Sequence, residues 1–387
     1  MIVCLAFPTV CVLLAVLART VPWVEPVLGN SRVEVESYCT PLQLERGGIS
    51  VSAGSVILVE AQSGSVLHAS GEKTRRGMAS TTKIMTAYTV LCTLPLDKQV
   101  VITEDMVGAE GSSLYLKAGE TLTVEELLYG LMLESGNDAA EALAIACDGS
   151  VTAFVQRMNS LAAELGLFDT KFANPHGLSD PEHYTTAYDL AMLTCIALKN
   201  ETFRRLVSTY SIRIPYDGIP GGRHLVNHNP LLPCYEGMIG VKTGWTTADG
   251  KCFVSAASRD GMTLVAVSLG DTGISGTHRA LLDYGFAMYC CKTVSAATPM
   301  DLPLEGGFDS FLSVACKETV TVCLPKGEEI DFRVETPETL YAGMPAGSTV
   351  GRVVLLYEGK EMGCLPLVTL KDAPVKKITL WKKWFGT

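Results

Sequence analysis

The chain has 387 residues, 48% of them hydrophobic and 19% charged, proportions that exclude disorder and leave room for more than one domain. Its formal charge of −10 argues against nucleic acid as a partner, because phosphate backbones are bound by basic surface. No glycine-rich loop leads from a strand into Lys-Ser or Lys-Thr, so a phosphate-cradling site is not expected either.

From Ile2 to Ala18 the chain is almost uniformly apolar, interrupted by Pro8 and Thr9, which is the length of a secretory h-region. Residues 1–18 are read as a signal peptide, with an end as late as about residue 30 and an uncleaved N-terminal anchor as alternatives. Either way the body of the protein is expected to be exported, to the outer face of the cytoplasmic membrane or the cell-wall space. Residues 19–45, with Pro22, Pro26, Gly29 and no clear period, read as a linker.

A first domain is expected over 46–290. Val56-Ile57-Leu58-Val59 and Val66-Leu67 flank Gln62-Ser63-Gly64, a hairpin by its turn residues. Met78 to Leu94 reads as a helix, and Thr123 with Glu126 three residues on forms a capping box that opens another. A further helix is expected from Val151 to Leu165. Strands return at 239–242, 253–258 and 263–269, the last two joined through Arg259-Asp260-Gly261, before a closing helix at 278–289. Strands at both ends with helices between predict an α+β domain, its antiparallel sheet built from both ends of the sequence and flanked by a helical cluster. From about Pro299 to 372 short β-prone runs separated by Gly and Pro predict a small all-β domain. The last stretch, 375–387, combines four lysines with Trp381, Trp384 and Phe385. On a helix Ile378, Trp381 and Phe385 would share a face, as a segment lying on a membrane surface requires, with a solvated tail as the alternative. At this length it cannot span a bilayer.

Thirteen cysteines are many for an exported protein, but none lie in Cys-x-x-Cys or zinc-like spacing. Small buried hydrophobes are the favoured reading, with one or two disulfides, such as Cys316 with Cys364, as the alternative. His224 and His228 have the two-histidine spacing of a zinc helix but no adjacent Glu, and Asn229-Pro230 favours a loop; no metal or cofactor is expected.

The chemistry rests on three strings: Ser80-Thr81-Thr82-Lys83, Ser135-Gly136-Asn137 and Lys242-Thr243-Gly244, separated by 55 and 107 residues. Singly they are weak, and Ser70-Gly71-Glu72-Lys73 is a decoy for the first. In this order they match a serine acyl-transfer set. Ser80 is the expected nucleophile, and on a helix start Lys83 lies one turn later on the same face. To act as a base Lys83 must fall by about three pKa units, ~5 kcal/mol, which burial beside a second cation, Lys242, would supply. Ser135 would relay the proton to the leaving amine, while Asn137 holds a substrate carbonyl and orients Lys83. Lys242 and Thr243 would bind a terminal carboxylate, and Gly244 would let an extended substrate lie along an edge strand. The backbone N–H groups of Ser80 and Trp245 would form the oxyanion hole.

Around these strings, Met78 to Ala87, Leu128 to Met132 and on to Ala140, Asn174-Pro175-His176-Gly177-Leu178, and Val241 to Thr246, the chain resembles the D-alanyl-D-alanine carboxypeptidases, low-molecular-mass penicillin-binding proteins of serine peptidase family S11. The resemblance covers roughly 45–290 and implies a β-lactamase/transpeptidase-like domain. It implies removal of the terminal D-alanine from peptidoglycan stem peptides ending in D-Ala-D-Ala, through an acyl-enzyme on Ser80, with acylation by β-lactams. The family's acyl-ester serine, base lysine, second serine and substrate-binding lysine map onto Ser80, Lys83, Ser135 and Lys242. Where some members carry His after Lys-Thr-Gly this chain has Trp245. A β-lactamase is the nearest rival, disfavoured by Ser-Gly-Asn in place of Ser-Asp-Asn and by Glu164, which reads as solvent-facing rather than a deacylating base. A non-catalytic β-lactam sensor is the other.

Overall fold

The computed structural model describes residues 38–45, 48–49, 51–216, 221–296 and 298–376. The signal peptide expected at 1–18 lies outside them, as does nearly all of the 375–387 tail. Two units form: Gln43–Tyr289, and 38–42 together with Cys290 onward.

In the first unit a five-stranded antiparallel sheet joins β1 (Ala53–Glu60), β2 (Val66–Ser70), β3 (Met238–Thr246), β4 (Gly250–Arg259) and β5 (Met262–Asp271) in the order β2-β1-β5-β4-β3. Strands from the two ends of the domain therefore pair directly, Val265 opposite Val59. The runs are apolar on both faces, as strands covered on both sides must be, and Ile57, Leu58, Val265 and Ala266 are all sealed. Local chemistry sets the connections. Arg259 pairs with Met262 across Asp260-Gly261, both at positive φ (50° and 79°), the two-residue turn whose twist matches its strands. The Glu60 carboxylate accepts the N–H groups of Gln62 and Ser63 and so closes the β1–β2 turn.

The helices are α1 (Lys83–Leu91), α2 (Val124–Leu133), α3 (Asn137–Asp148), α4 (Val151–Glu164), α5 (Ala187–Ala197), α6 (Glu201–Ser208) and α7 (Ile274–Met288). Thr123 and Glu126 form the expected capping box at α2. The helix expected from Met78 begins differently: a 3₁₀ turn, Ala79–Thr82, precedes α1, and the α-helix ends at Leu91, before Leu94-Pro95. The strand expected at 239–242 runs on to Thr246, and the last helix begins at Ile274, ahead of the expected 278.

The second unit is built of β6 (Tyr289–Ser295), β7 (Met300–Glu305), β8 (Phe311–Ala315), β9 (Thr319–Pro325), β10 (Asp331–Glu335), β11 (Leu340–Tyr341), β12 (Thr349–Tyr357) and β13 (Lys360–Thr369). Its main sheet runs β10-β12-β13-β8-β7-β11, and β6 pairs with β9. Tyr38–Cys39 adds to β13, opposite Cys364 and Gly363, so the described end of the expected 19–45 linker is a paired strand whose backbone groups the sheet satisfies. The eleven described cysteines form no disulfide with one another, Cys316 and Cys364 included, both of which are buried. No helix among the described residues is long and apolar enough to cross a membrane.

Candidate active site

Ser80 sits inside the 3₁₀ turn, and Lys83 opens α1 three residues later. A turn of this kind stacks the two side chains, and Lys83 Nζ donates to Ser80 Oγ at 3.0 Å. The same ammonium nitrogen reaches Asn137 Oδ1 at 2.7 Å and the His176 carbonyl at 2.6 Å. Lys83 is fully sealed from solvent. Burial drives its pKa well below the ordinary lysine value, the charge of Lys242 adds to the fall, and Asp138 opposes it.

Ser135 occupies the break between α2 and α3, and Asn137 opens α3. Ser135 has φ +63°, a left-handed conformation that costs a residue with a side chain, and its buried hydroxyl has no hydrogen-bond partner. Asn137 is wired on every side: its backbone N–H donates to the Ser112 carbonyl at 2.7 Å and its side-chain amide to the Glu110 carbonyl. The neighbouring Asp138 carboxylate holds the same loop, accepting from Ser113 Oγ at 2.6 Å and from the N–H groups of Leu114 and Leu116.

Lys242, Thr243 and Gly244 lie on β3, the edge strand, bonded on one side to β4. Lys242 is buried, donates to the Thr243 carbonyl at 3.1 Å, and is lowered to about 7 by desolvation, with Glu134 pulling the other way. A Cβ on Gly244 would stand 2.7 Å from the Ser80 nitrogen, so only glycine lets β3 pass this close to the serine turn. Trp245 is exposed. Hydrogen bonds thus join Ser80, Lys83 and Asn137 directly, Lys242 acts on Lys83 through its field, and Gly244 abuts the Ser80 backbone.

Several supports were not legible as site residues. The His176 carbonyl is the third acceptor for Lys83; Asn174 shapes its loop, accepting from the Gly177 N–H at 2.7 Å and donating to the Leu178 carbonyl at 2.8 Å. Asp249 accepts from the Ala79 N–H at 3.2 Å and from Ser179 Oγ, tying the serine turn to the end of β3. His183 Nδ1 accepts from the Ala173 N–H, which leaves Nε2 as the donor to Thr82 Oγ1 at 2.7 Å; burial lowers this imidazole to about 4 and keeps it neutral. Of the rejected candidates, His224 lies in a strand, Arg223–Val226, and His228 stands 3.4 Å from Glu134. Glu164 is exposed at the end of α4. No group of three or more metal-ligating side chains occurs among the described residues.

An antiparallel sheet with a Ser-x-x-Lys turn against its edge strand, faced by a Ser-x-Asn break, defines the class: serine acyl-transfer enzymes of the penicillin-recognising kind. Residues 42–273 match the family model for D-alanyl-D-alanine carboxypeptidase, and 293–375 match that for the C-terminal domain of penicillin-binding protein 5. The chain is 31% identical to D-alanyl-D-alanine carboxypeptidase DacF of Bacillus subtilis over 86% of its own length and 89% of that protein's. It is 30% identical to DacA of Escherichia coli K12, covering 84% of each. Penicillin-binding protein 5 of Haemophilus influenzae superposes with a TM-score of 0.73 at 27% identity, over 85% of this chain and 99% of that one. The chain belongs to the D-alanyl-D-alanine carboxypeptidase family, serine peptidase family S11.

Proposed function

We propose that the enzyme removes the C-terminal D-alanine from peptidoglycan stem peptides ending in D-Ala-D-Ala, and that β-lactams acylate the same serine. The observation that carries this is a buried lysine, depressed well below its ordinary pKa, 3.0 Å from the Ser80 hydroxyl. A neutral Lys83 takes the Ser80 proton as Oγ attacks the carbonyl of the penultimate D-alanine. The N–H groups of Ser80 and Trp245 hold the developing oxyanion, each donor worth on the order of 3 kcal/mol. Ser135, whose hydroxyl is otherwise uncommitted, passes a proton to the departing amine nitrogen, and D-alanine leaves. Water then attacks the ester, giving its proton back through Lys83, and the shortened peptide is released with Ser80 restored. Asn137 keeps Lys83 aimed and meets a substrate carbonyl, Lys242 and Thr243 receive the terminal carboxylate, and Gly244 lets the peptide lie along the open edge of β3.

The apolar stretch Ile2–Ala18 supports export, and the lysines and aromatics of 375–387 support residence at the outer face of the cytoplasmic membrane, against the cell wall. The test is an intact-mass time course with benzylpenicillin, alongside D-alanine release from a pentapeptide. Wild type should gain a lasting penicilloyl adduct and release D-alanine, and Ser80→Ala should do neither. Rapid drug turnover without an adduct would mean a β-lactamase, and an adduct without D-alanine release a sensor.

A further inference from the structure

One face of the C-terminal β unit is aromatic and turned outward. In β7 and β8 the residues alternate: Leu302, Leu304, Leu312 and Val314 are buried, while Asp301, Pro303, Glu305 and Phe311 are exposed. Register carries the outward set across three strands, since Pro303 is opposite Phe311 and Glu305 is opposite Tyr341 of β11. Phe311 and Tyr341 are 57% and 68% exposed, and Phe308, in the β7–β8 turn, is 68% exposed. Val375, 56% exposed, bridges Gly307 beside that turn, and the Lys376 N–H donates to the Gly306 carbonyl at 2.8 Å. Monomeric surfaces scatter single apolar residues; here two placed by strand register, one in the adjoining turn and one bridged beside that turn form a patch.

What covers it is indicated by where the chain goes next. Beyond Lys376 the sequence runs Lys377-Ile378-Thr379-Leu380-Trp381-Lys382-Lys383-Trp384-Phe385, cationic and aromatic. Tryptophan, tyrosine and phenylalanine beside lysine suit the headgroup region of a bilayer. Two cations offset the acids here: Lys371 pairs with Asp309 at 2.6 Å and Lys376 adjoins the turn, leaving Glu305 and Asp301, which accepts from Ser313 Oγ at 2.6 Å, as the outward carboxylates of β7.

We propose that this end of the β unit (Phe308, Phe311, Tyr341 and Val375) is a second membrane-docking surface that rests on the phospholipid interface beside the tail. The proposal rests on the membrane-surface reading above and adds an apolar component to it. The two components differ in kind: attraction of the tail lysines to anionic lipid is screened by salt, whereas insertion of aromatic rings is not.

The test uses the full chain and sedimentation with phosphatidylglycerol/phosphatidylcholine vesicles at low salt and at about 0.5 M salt, where charge attraction is screened. The variant F308S/F311S/Y341S should lose about tenfold or more in partitioning at high salt, with an unchanged rate of penicillin acylation as evidence that it folds. F308S alone, in the turn, should lose part of that. Wild-type partitioning by both variants, with binding lost in W381S/W384S, would overturn the proposal and leave the tail reading standing. No vesicle binding by wild type would end both. Loss of self-association in the triple variant without loss of vesicle binding would make the face a contact between copies of the chain and overturn the proposal.

Discussion

Lys83 and Lys242 are both buried, and each donates hydrogen bonds to neutral oxygens: those of Ser80, Asn137 and His176 for the first, the Thr243 carbonyl for the second. An ammonium so placed loses hydration and gains no opposite charge in contact, so the neutral form is favoured, and the charge of Lys242 depresses Lys83 further. The consequence is a sequence of ionisations. Lys83, lowered well below the ordinary lysine value by burial and by Lys242, is biased toward the neutral form that accepts a proton, whereas Lys242, at about 7, is still part-charged near neutrality and able to receive a carboxylate. Binding of carboxylate substrates needs the protonated form of Lys242, so KM should rise as pH climbs through about 7, while an amidated peptide should show no such rise. Lys242→Ala should raise KM for D-Ala-D-Ala peptides ~10–100-fold, the scale of a lost charge-assisted hydrogen bond, and should affect amidated peptides little. Equal losses on both substrates would remove Lys242 from the carboxylate site.

At the level of elements, the serine turn is held between an edge strand and a helix pair, and the strand leaves it no slack. Gly244→Ala would drive a methyl to 2.7 Å from the Ser80 nitrogen, so penicillin acylation should fall at least a hundredfold with little change in thermal stability. A large loss of stability instead would show that the contact serves the fold. Behind the sheet, α7 is pinned through His278, fully buried, with Nδ1 2.6 Å from Ser255 Oγ on β4 and Nε2 2.9 Å from Ser268 Oγ on β5. Burial lowers this imidazole to about 3, against an unfolded value of ~6.5. Below ~6.5 the unfolded chain binds a proton that the native state refuses until about 3, so the stabilisation present at neutral pH is lost progressively as pH falls across that window. Urea midpoints at pH 7 and 4.5 should therefore diverge more for wild type than for His278→Asn, which cannot titrate. Parallel declines would place the acid sensitivity elsewhere, for instance in His176 and His183, which are also held neutral by burial.

For the whole molecule, the eleven described cysteines form no disulfide with one another, six of them lying outside the deep interior and five within it, and burial raises Cys195, Cys252 and Cys316 to about 12. Thiols so protonated are poor nucleophiles and pack as small hydrophobes. Alkylation of the denatured, unreduced protein should label Cys316 and Cys364, and reductant should leave the unfolding temperature unchanged. Protection of that pair until reduction would reveal a disulfide.

Much of the architecture was readable in advance where local chemistry dominates: the capping box at Thr123, the Asp260-Gly261 hairpin, the sheet assembled from both ends, the alternating β unit. The differences arose where packing decides. The 3₁₀ turn at Ala79–Thr82 depends on Asp249, 170 residues away, and Tyr38–Cys39 became a strand because β13 offered it an edge. Sequence alone determined the three motifs, their order and the family, because acyl transfer needs particular side chains and a Ser-x-x-Lys pair meets within one turn. Only the tertiary structure decided that the His176 carbonyl aims Lys83, that Ser135 is held in a left-handed bend, and that both lysines are shifted. A carbonyl acceptor, a backbone angle and a low dielectric leave no mark on residue identity; they exist only once distant segments have closed around the site.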